Sequence, residues 1–142
     1  LFQVKGLLLG ADDYTTDMNI DRTTEGEELI YVRSKLAVTA KAFQKEAIDT
    51  PFTSKDGLED LRIDILRAKK LGLHAKAIIH PNHVQEVNQL MRPSQELIDW
   101  ARRVLKKKDL TNKGAFSLDG KMVDEPIIKK AQNIIDEVKK YS

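Results

Sequence analysis

The chain contains no cysteine, which excludes a disulfide framework, a thiolate metal site and a cysteine nucleophile. Neither sign of charge is much in excess: 24 Lys and Arg stand against 22 Asp and Glu, a net +2. Binding phosphates needs a concentrated basic face, so no nucleic-acid partner is expected. No apolar run approaches the roughly 20 residues that span a bilayer, so no membrane partner is expected either. With no signal peptide at the start, the expected location is cytoplasmic. A glycine-rich phosphate loop, a G-x-S-x-G elbow and an H-E-x-x-H zinc motif are all missing. Internal repeats, low-complexity tracts and linkers rich in Gly, Ser or Pro are missing too.

What remains is a globular composition, 41% hydrophobic over 142 residues, enough for one domain with a real core. Short apolar runs alternate with longer amphipathic ones. Residues 4–10 (VKGLLLG) read as a buried strand bounded by glycine. A polar, acidic stretch follows over 12–22. Thr24 and Glu27 then have capping-box spacing, ahead of a helix whose apolar face carries Leu29, Ile30, Leu36, Ala37, Ala40 and Phe43. Residues 47–49 form a second strand, ended by Pro51. Asp56 opens the next helix, with Leu58, Leu61, Ile65, Leu66 and Ala68 on its buried side, and Gly72 stands where a left-handed cap is expected. Residues 75–79 (AKAII) make the third strand, stopped by His80-Pro81; a short helix covers 83–90, and Pro93-Ser94 starts another. The Lys106-Lys107-Lys108 run reads as a solvated helix end. Strand, loop and helix in repetition predict a parallel α/β architecture. From 115 onward the pattern changes to a hairpin turning at Asp119-Gly120, then a helix opened by Asp124-Glu125-Pro126 with a stripe of Ile127, Ile128, Ala131, Ile134, Ile135 and Val138.

In parallel α/β folds, chemistry gathers at the carboxyl ends of the strands. Here the exits carry Asp12 and Asp13, Asp49, and His80. Asp12 and Asp13 cannot both face one site from an extended chain. One of them suits a hard divalent ion such as Mg²⁺, which takes one or two protein carboxylates and keeps waters; an Asx turn is the alternative. His80, held extended before proline, either touches a substrate or carrier or bonds to backbone. Asp49 either meets a ligand at the rim or caps the turn through Pro51. Judged locally, Asp124 is an N-cap before it is an acid. Lys76 can point either way, and His74 and His83 are expected on the surface.

At these residues the chain resembles the citrate lyase β subunit and the wider HpcH/HpaI aldolase group of Mg²⁺-dependent acyl-thioester lyases, which includes malyl-CoA and citramalyl-CoA lyases. The matching segments are LGADDYTTDM (9–18), IDTPF (48–52), AIIHPN (77–82), RPS (92–94) and DGKMVDEP (119–126), in family order. The resemblance implies a TIM (β/α)8 barrel with a C-terminal hairpin-helix extension, of which this chain is the C-terminal half: about three strand-helix units over 1–108, then the extension over 109–142. It implies that Asp13, three positions after Gly10, is a Mg²⁺ ligand. It places Ile79, His80 and Pro81 against the thioester arm of CoA or an acyl-carrier protein, and Asp49 joins them as a cofactor-binding candidate at the rim. It makes Asp124 a proton-transfer residue that reaches a neighbouring subunit's site in a homotrimer or hexamer, with acyl-carrier and transferase subunits as possible partners. The implied reaction is retro-Claisen cleavage of a hydroxy-acyl thioester; citryl thioester would yield oxaloacetate and acetyl thioester. A TIM barrel typically needs ~250 residues. The first Mg²⁺ carboxylate and the substrate-gripping arginine are therefore expected ahead of Leu1, which reads as a cut rather than a natural start, and the fragment alone is expected to be inactive. Two other readings are a non-catalytic assembly or thioester-binding module and an aldolase-like barrel working on free keto acids.

Overall fold

The computed structural model describes residues 3–111 and 114–140; Leu1 lies outside them. They divide into two compact units, Leu1–Met91 and Arg92–Ser142, and the boundary expected at 108/109 falls inside a helix of the second.

The first unit is built on three short parallel strands, β1 (Gly6–Leu8), β2 (Glu46–Asp49) and β3 (Ala75–Lys76), in spatial order β1-β2-β3. Leu7 pairs with Ala47, and Asp49 with Lys76. The connections carry α1 (Ala11–Met18), α2 (Ile30–Ala42) and α3 (Leu58–Lys70), and α4 (Val84–Met91) follows β3. The mixed α/β class read from the alternation is therefore present. Ala37, Ala40, Ala47, Ala68 and Leu73 form the core between α2, α3 and the sheet, and Leu61, Ile65, Val87 and Met91 form a second cluster between α3 and α4. Gly72 has φ +94°, the left-handed conformation that ends a helix.

Several details differ from expectation. The polar stretch over 12–22, given no secondary structure from the sequence, opens in a helix: α1 begins at the strand exit, with Asp12 and Asp13 in its first turn, where negative charge suits the positive end of the helix. The capping pair is not Thr24 and Glu27. Gly26, at φ 64°, delays the helix, and Thr23 instead donates from its N–H and its hydroxyl to Glu28 (2.9 and 2.8 Å) while accepting from Gly26 N–H. Ile30, Phe43, Leu58 and Leu66, assigned to buried faces, are exposed. The third strand is two residues rather than five; Ala77 N–H still donates to Asp49 O (3.0 Å), after which the chain leaves the sheet.

The second unit packs α5 (Gln95–Thr111) against α6 (Glu125–Lys140), with the hairpin β4 (Phe116–Leu118) and β5 (Lys121–Val123) between them in sequence. Its core is Ala101 and Val104 from α5, Val123 from β5, and Ile128, Ala131 and Ile134 from α6, the stripe read from spacing. Ser94 Oγ accepts from Leu97 N–H (3.3 Å) at the α5 start. The turn at Asp119 (φ 52°) and Gly120 (φ 75°) is the type I′ geometry that Asp-Gly favours. A Cβ on Gly120 would touch nothing within 4 Å, so Gly120→Ala should cost only the left-handed backbone penalty, about 1–2 kcal/mol. Urea denaturation of the variant checks this value.

Candidate active site

Because β1, β2 and β3 are parallel, their carboxyl ends open on one rim. At the β1 exit the two aspartates have different partners. Asp12 is ion-paired with Arg22, whereas the exposed Asp13 carboxylate takes no ion-pair partner among the described residues. Turning through a helix separates successive side chains by about 100°, so the divergence expected for an extended chain arises here by another route. A Cβ at Gly10 would lie 3.0 Å from Asp13 Oδ2; glycine leaves room for that carboxylate to lie back over the strand exit.

At the β2 exit Asp49 is placed neither at the rim nor on the turn into Pro51. It is fully buried, because both its oxygens are bonded from inside. Arg33 grips it from Nε and Nη2 (2.8 and 3.0 Å) and Lys76 Nζ donates to Oδ2 (2.7 Å). Beyond β3, Ile79 is 55% exposed, and His80, half-buried, donates from Nε2 to Thr53 O (3.1 Å). Asn82 Nδ2 donates to Lys55 O (2.7 Å), so the loops following β2 and β3 are tied together. Pro81 opens a 3₁₀ turn, Pro81–His83, and that turn corrects one expectation. His83 is not on the surface but 1% exposed, with its ring edge-on to His80 (centroids 5.1 Å) and 6.0 Å from Phe52. Its Nε2 has no hydrogen-bond partner among the described residues. His74 is exposed.

Asp124 belongs to the second unit. It is half-buried and caps α6: its Oδ1 accepts from Ile127 N–H (3.4 Å) and its carbonyl from Ile128 N–H (2.9 Å). The first unit thus carries Asp13 at the start of α1, Asp49 buried at the end of β2, and Ile79, His80 and Pro81 in the segment beyond β3, whereas Asp124 stands on the other unit.

The HpcH/HpaI aldolase/citrate lyase family matches residues 2–81. The citrate lyase subunit beta of Haemophilus influenzae is 30% identical over 137 residues, covering 94% of this chain and 47% of that protein. The mitochondrial citramalyl-CoA lyase of Rattus norvegicus is 35% identical over 135 residues, 91% of this chain and 39% of that protein. Among solved structures, CitE from Mycobacterium tuberculosis in complex with magnesium, acetoacetate and coenzyme A superposes with a TM-score of 0.80 at 29% identity, covering 94% of this chain and 52% of that one. A citrate lyase from Burkholderia xenovorans LB400 shares the fold, with a TM-score of 0.85 at 16% identity over 99% of this chain and 47% of that one. The chain spans about half the length, or less, of the curated relatives it matches.

Sequence reasoning missed the charges beneath the rim. Arg33 Nη2 also donates to Asp64 Oδ1 (2.7 Å), and Lys76 Nζ to Asp64 Oδ2 (2.6 Å) and Thr50 O (2.8 Å). Two cations and two anions close a neutral quartet in which all three ammonium donors of Lys76 are used. The clue was positional. Arg33 sits between Leu29 and Ala37 on the helical stripe of α2, and Asp64 beside Leu61, Ile65 and Ala68 on that of α3, so each interrupts a buried face. Burial works to raise the Asp64 carboxyl, but the charges of Lys76 and Arg33 and their hydrogen bonds outweigh it and hold it below its ordinary value. For Arg33, burial works downward and the two aspartates outweigh it, raising the guanidinium further.

Lys76→Met leaves two buried carboxylates on one guanidinium and should cost about 3–5 kcal/mol, read from the urea midpoint at pH 7. The native state binds the Asp64 proton less tightly than the unfolded chain does. Its stabilisation is therefore present above the ordinary value of 3.8 and is lost as pH falls below it towards the lower native value. Acid unfolding should be steeper in the parent chain than in Asp64→Asn; superimposable pH profiles would refute the assignment.

Proposed function

Because the chain belongs to the HpcH/HpaI aldolase/citrate lyase family, we propose that the intact protein is a Mg²⁺-dependent carbon–carbon lyase. Its substrate is a hydroxy-acyl thioester, citryl-CoA or citryl-carrier protein, cleaved to oxaloacetate and acetyl thioester. The chain supplies the C-terminal half of a (β/α)8 barrel and its hairpin-helix extension. Exposed Leu8 (56%) on the edge strand β1 and Ile79 (55%) beyond the other edge strand, β3, support that reading, since they are apolar side chains for further strands to cover.

The observation that carries the proposal is the Asp12–Asp13 pair, one carboxylate neutralised by Arg22 and its neighbour left unpaired over the β1 exit. Asp13 fits a hard cation: it is an exposed oxygen donor, and Mg²⁺ takes one or two protein carboxylates while keeping waters. Among the described residues no three His, Asp or Glu cluster as a metal site, and in this scheme Asp13 is one ligand of a set that the rest of the intact protein completes. The chemistry a bound Mg²⁺ supplies is Lewis-acid polarisation of the keto-acid half of the substrate.

Within this scheme each residue has a task. Loss of the substrate hydroxyl proton breaks the C–C bond, and the electron pair stays on the thioester fragment as an enolate. Ile79, His80 and Pro81 line the thioester arm of CoA or the carrier, and the bond from His80 to Thr53 O keeps that wall in place. Asp49 acts from beneath, fixing Lys76 and the start of the following loop. Asp124 gives the enolate its proton at carbon; its Oδ1 is occupied in capping α6, which orients the carboxyl group. Asp124 serves a neighbouring subunit in a homotrimer or hexamer, and acyl-carrier and transferase subunits are the further partners of a cytoplasmic complex. The chain by itself is inactive.

Keto-acid release by the intact protein tests the proposal: oxaloacetate from citryl-CoA, with glyoxylate from malyl-CoA and pyruvate from citramalyl-CoA assayed beside it. Release should require a divalent cation and vanish in Asp13→Asn; full activity in that variant would sink the assignment. Asp124→Asn should lower kcat by about 100-fold or more with KM little changed.

A further inference from the structure

Two contacts from the segment after β2 reach the start of α1, and neither is local in sequence. Ala11 N–H, the first amide of α1, donates to Thr50 Oγ1 (3.3 Å) across 39 residues. Helix starts leave such amides without a partner unless a side chain caps them, and Gly10 at the N-cap position has none to offer. Thr50 is 1% exposed, and its carbonyl is held by Lys76 Nζ (2.8 Å), so the charged quartet fixes where this cap stands. The second contact runs through Arg22. Its Nη1 pairs with Asp12 and its Nη2 donates to Pro51 O (2.9 Å), which ties the first turn of α1 to the residue after Thr50. Asp12 turned toward Arg22 leaves Asp13 turned about 100° away from that cation.

We propose that Thr50 and Arg22 are positioning residues that clamp the first turn of α1 onto the loop after β2 and so aim the Asp13 carboxylate at a divalent cation. This rests on the reading of Asp13 as a metal ligand. Charge and position make opposite predictions for Arg22. Removing a cation beside a cation site strengthens metal binding by coulombic repulsion relieved; loosening the clamp weakens it, because ligands lose their preset direction.

Mn²⁺ titration of the intact protein by electron paramagnetic resonance separates these possibilities, with thermal unfolding of every variant alongside. Thr50→Val and Arg22→Met should each raise the Mn²⁺ dissociation constant about ten-fold, and Thr50→Ser, which keeps the hydroxyl, should restore the parent value. Unchanged or tighter Mn²⁺ binding in Arg22→Met, while Asp13→Asn binds poorly, overturns the clamp and leaves Asp13 as ligand. Parent-like binding in Asp13→Asn overturns the metal reading itself. Should Thr50→Val fail to fold, Arg22→Met carries the test, because its side chain is partly exposed and its contacts are at the rim.

Discussion

Four charges buried under a sheet of nine strand residues hold the first unit in one arrangement. Arg33 on α2, Asp49 on β2, Asp64 on α3 and Lys76 on β3 come from four elements, and no member can leave without stranding another. Ion pairs of this kind add little net stability, because desolvation offsets attraction; what they penalise strongly is a missing partner. The quartet therefore acts on register more than on total stability. β2 and β3 share a register of two residue pairs, Ile48 with Ala75 and Asp49 with Lys76, flanked by backbone bonds from His74 N–H to Ala47 O and from Ala77 N–H to Asp49 O. A slip of one residue would turn Lys76 to the opposite face and leave both aspartates short of a donor.

The rim inherits its order from this interior. Lys76 reaches Thr50 O, Thr50 reaches the first amide of α1, and α1 carries Asp12 and Asp13. The second unit is organised on other terms. Its core is wholly apolar, from Ala101 and Val104 to Ala131 and Ile134, and its one site residue, Asp124, is set by a helix cap rather than by buried charge.

Much of this was legible in the sequence where a local rule governs. The Asp119-Gly120 turn, the left-handed Gly72, the Ser94 and Asp124 caps and the α6 stripe all follow from neighbours within four residues. The exits bearing Asp13, Asp49 and His80 were legible as positions, because strand order can be read from alternation. The destinations of their side chains were not. Asp49 turned inward because Arg33 and Lys76, 16 and 27 residues away, were waiting for it, and no short-range pattern encodes that meeting. His83 was misplaced for a related reason: the 3₁₀ turn after Pro81 folds its ring under His80 and Phe52, whereas a continuing loop would have left it in water. The strand over 75–79 was overlong because apolar Ile78 and Ile79 read as pairing residues, yet β3 ends at Lys76 and both isoleucines are exposed.

Synthesis from the N-terminus gives the quartet a temporal side. Arg33 emerges first, then Asp49, then Asp64, and Lys76 last. Until the final member leaves the ribosome, a nascent chain holds one guanidinium against two carboxylates, a net negative charge that disfavours burial. Burial of the quartet is therefore disfavoured until Lys76 is present. That lysine is translated after Ala37, Ala40, Ala47, Ala68 and Leu73 of the core against the sheet but before Val87 and Met91 of the cluster between α3 and α4.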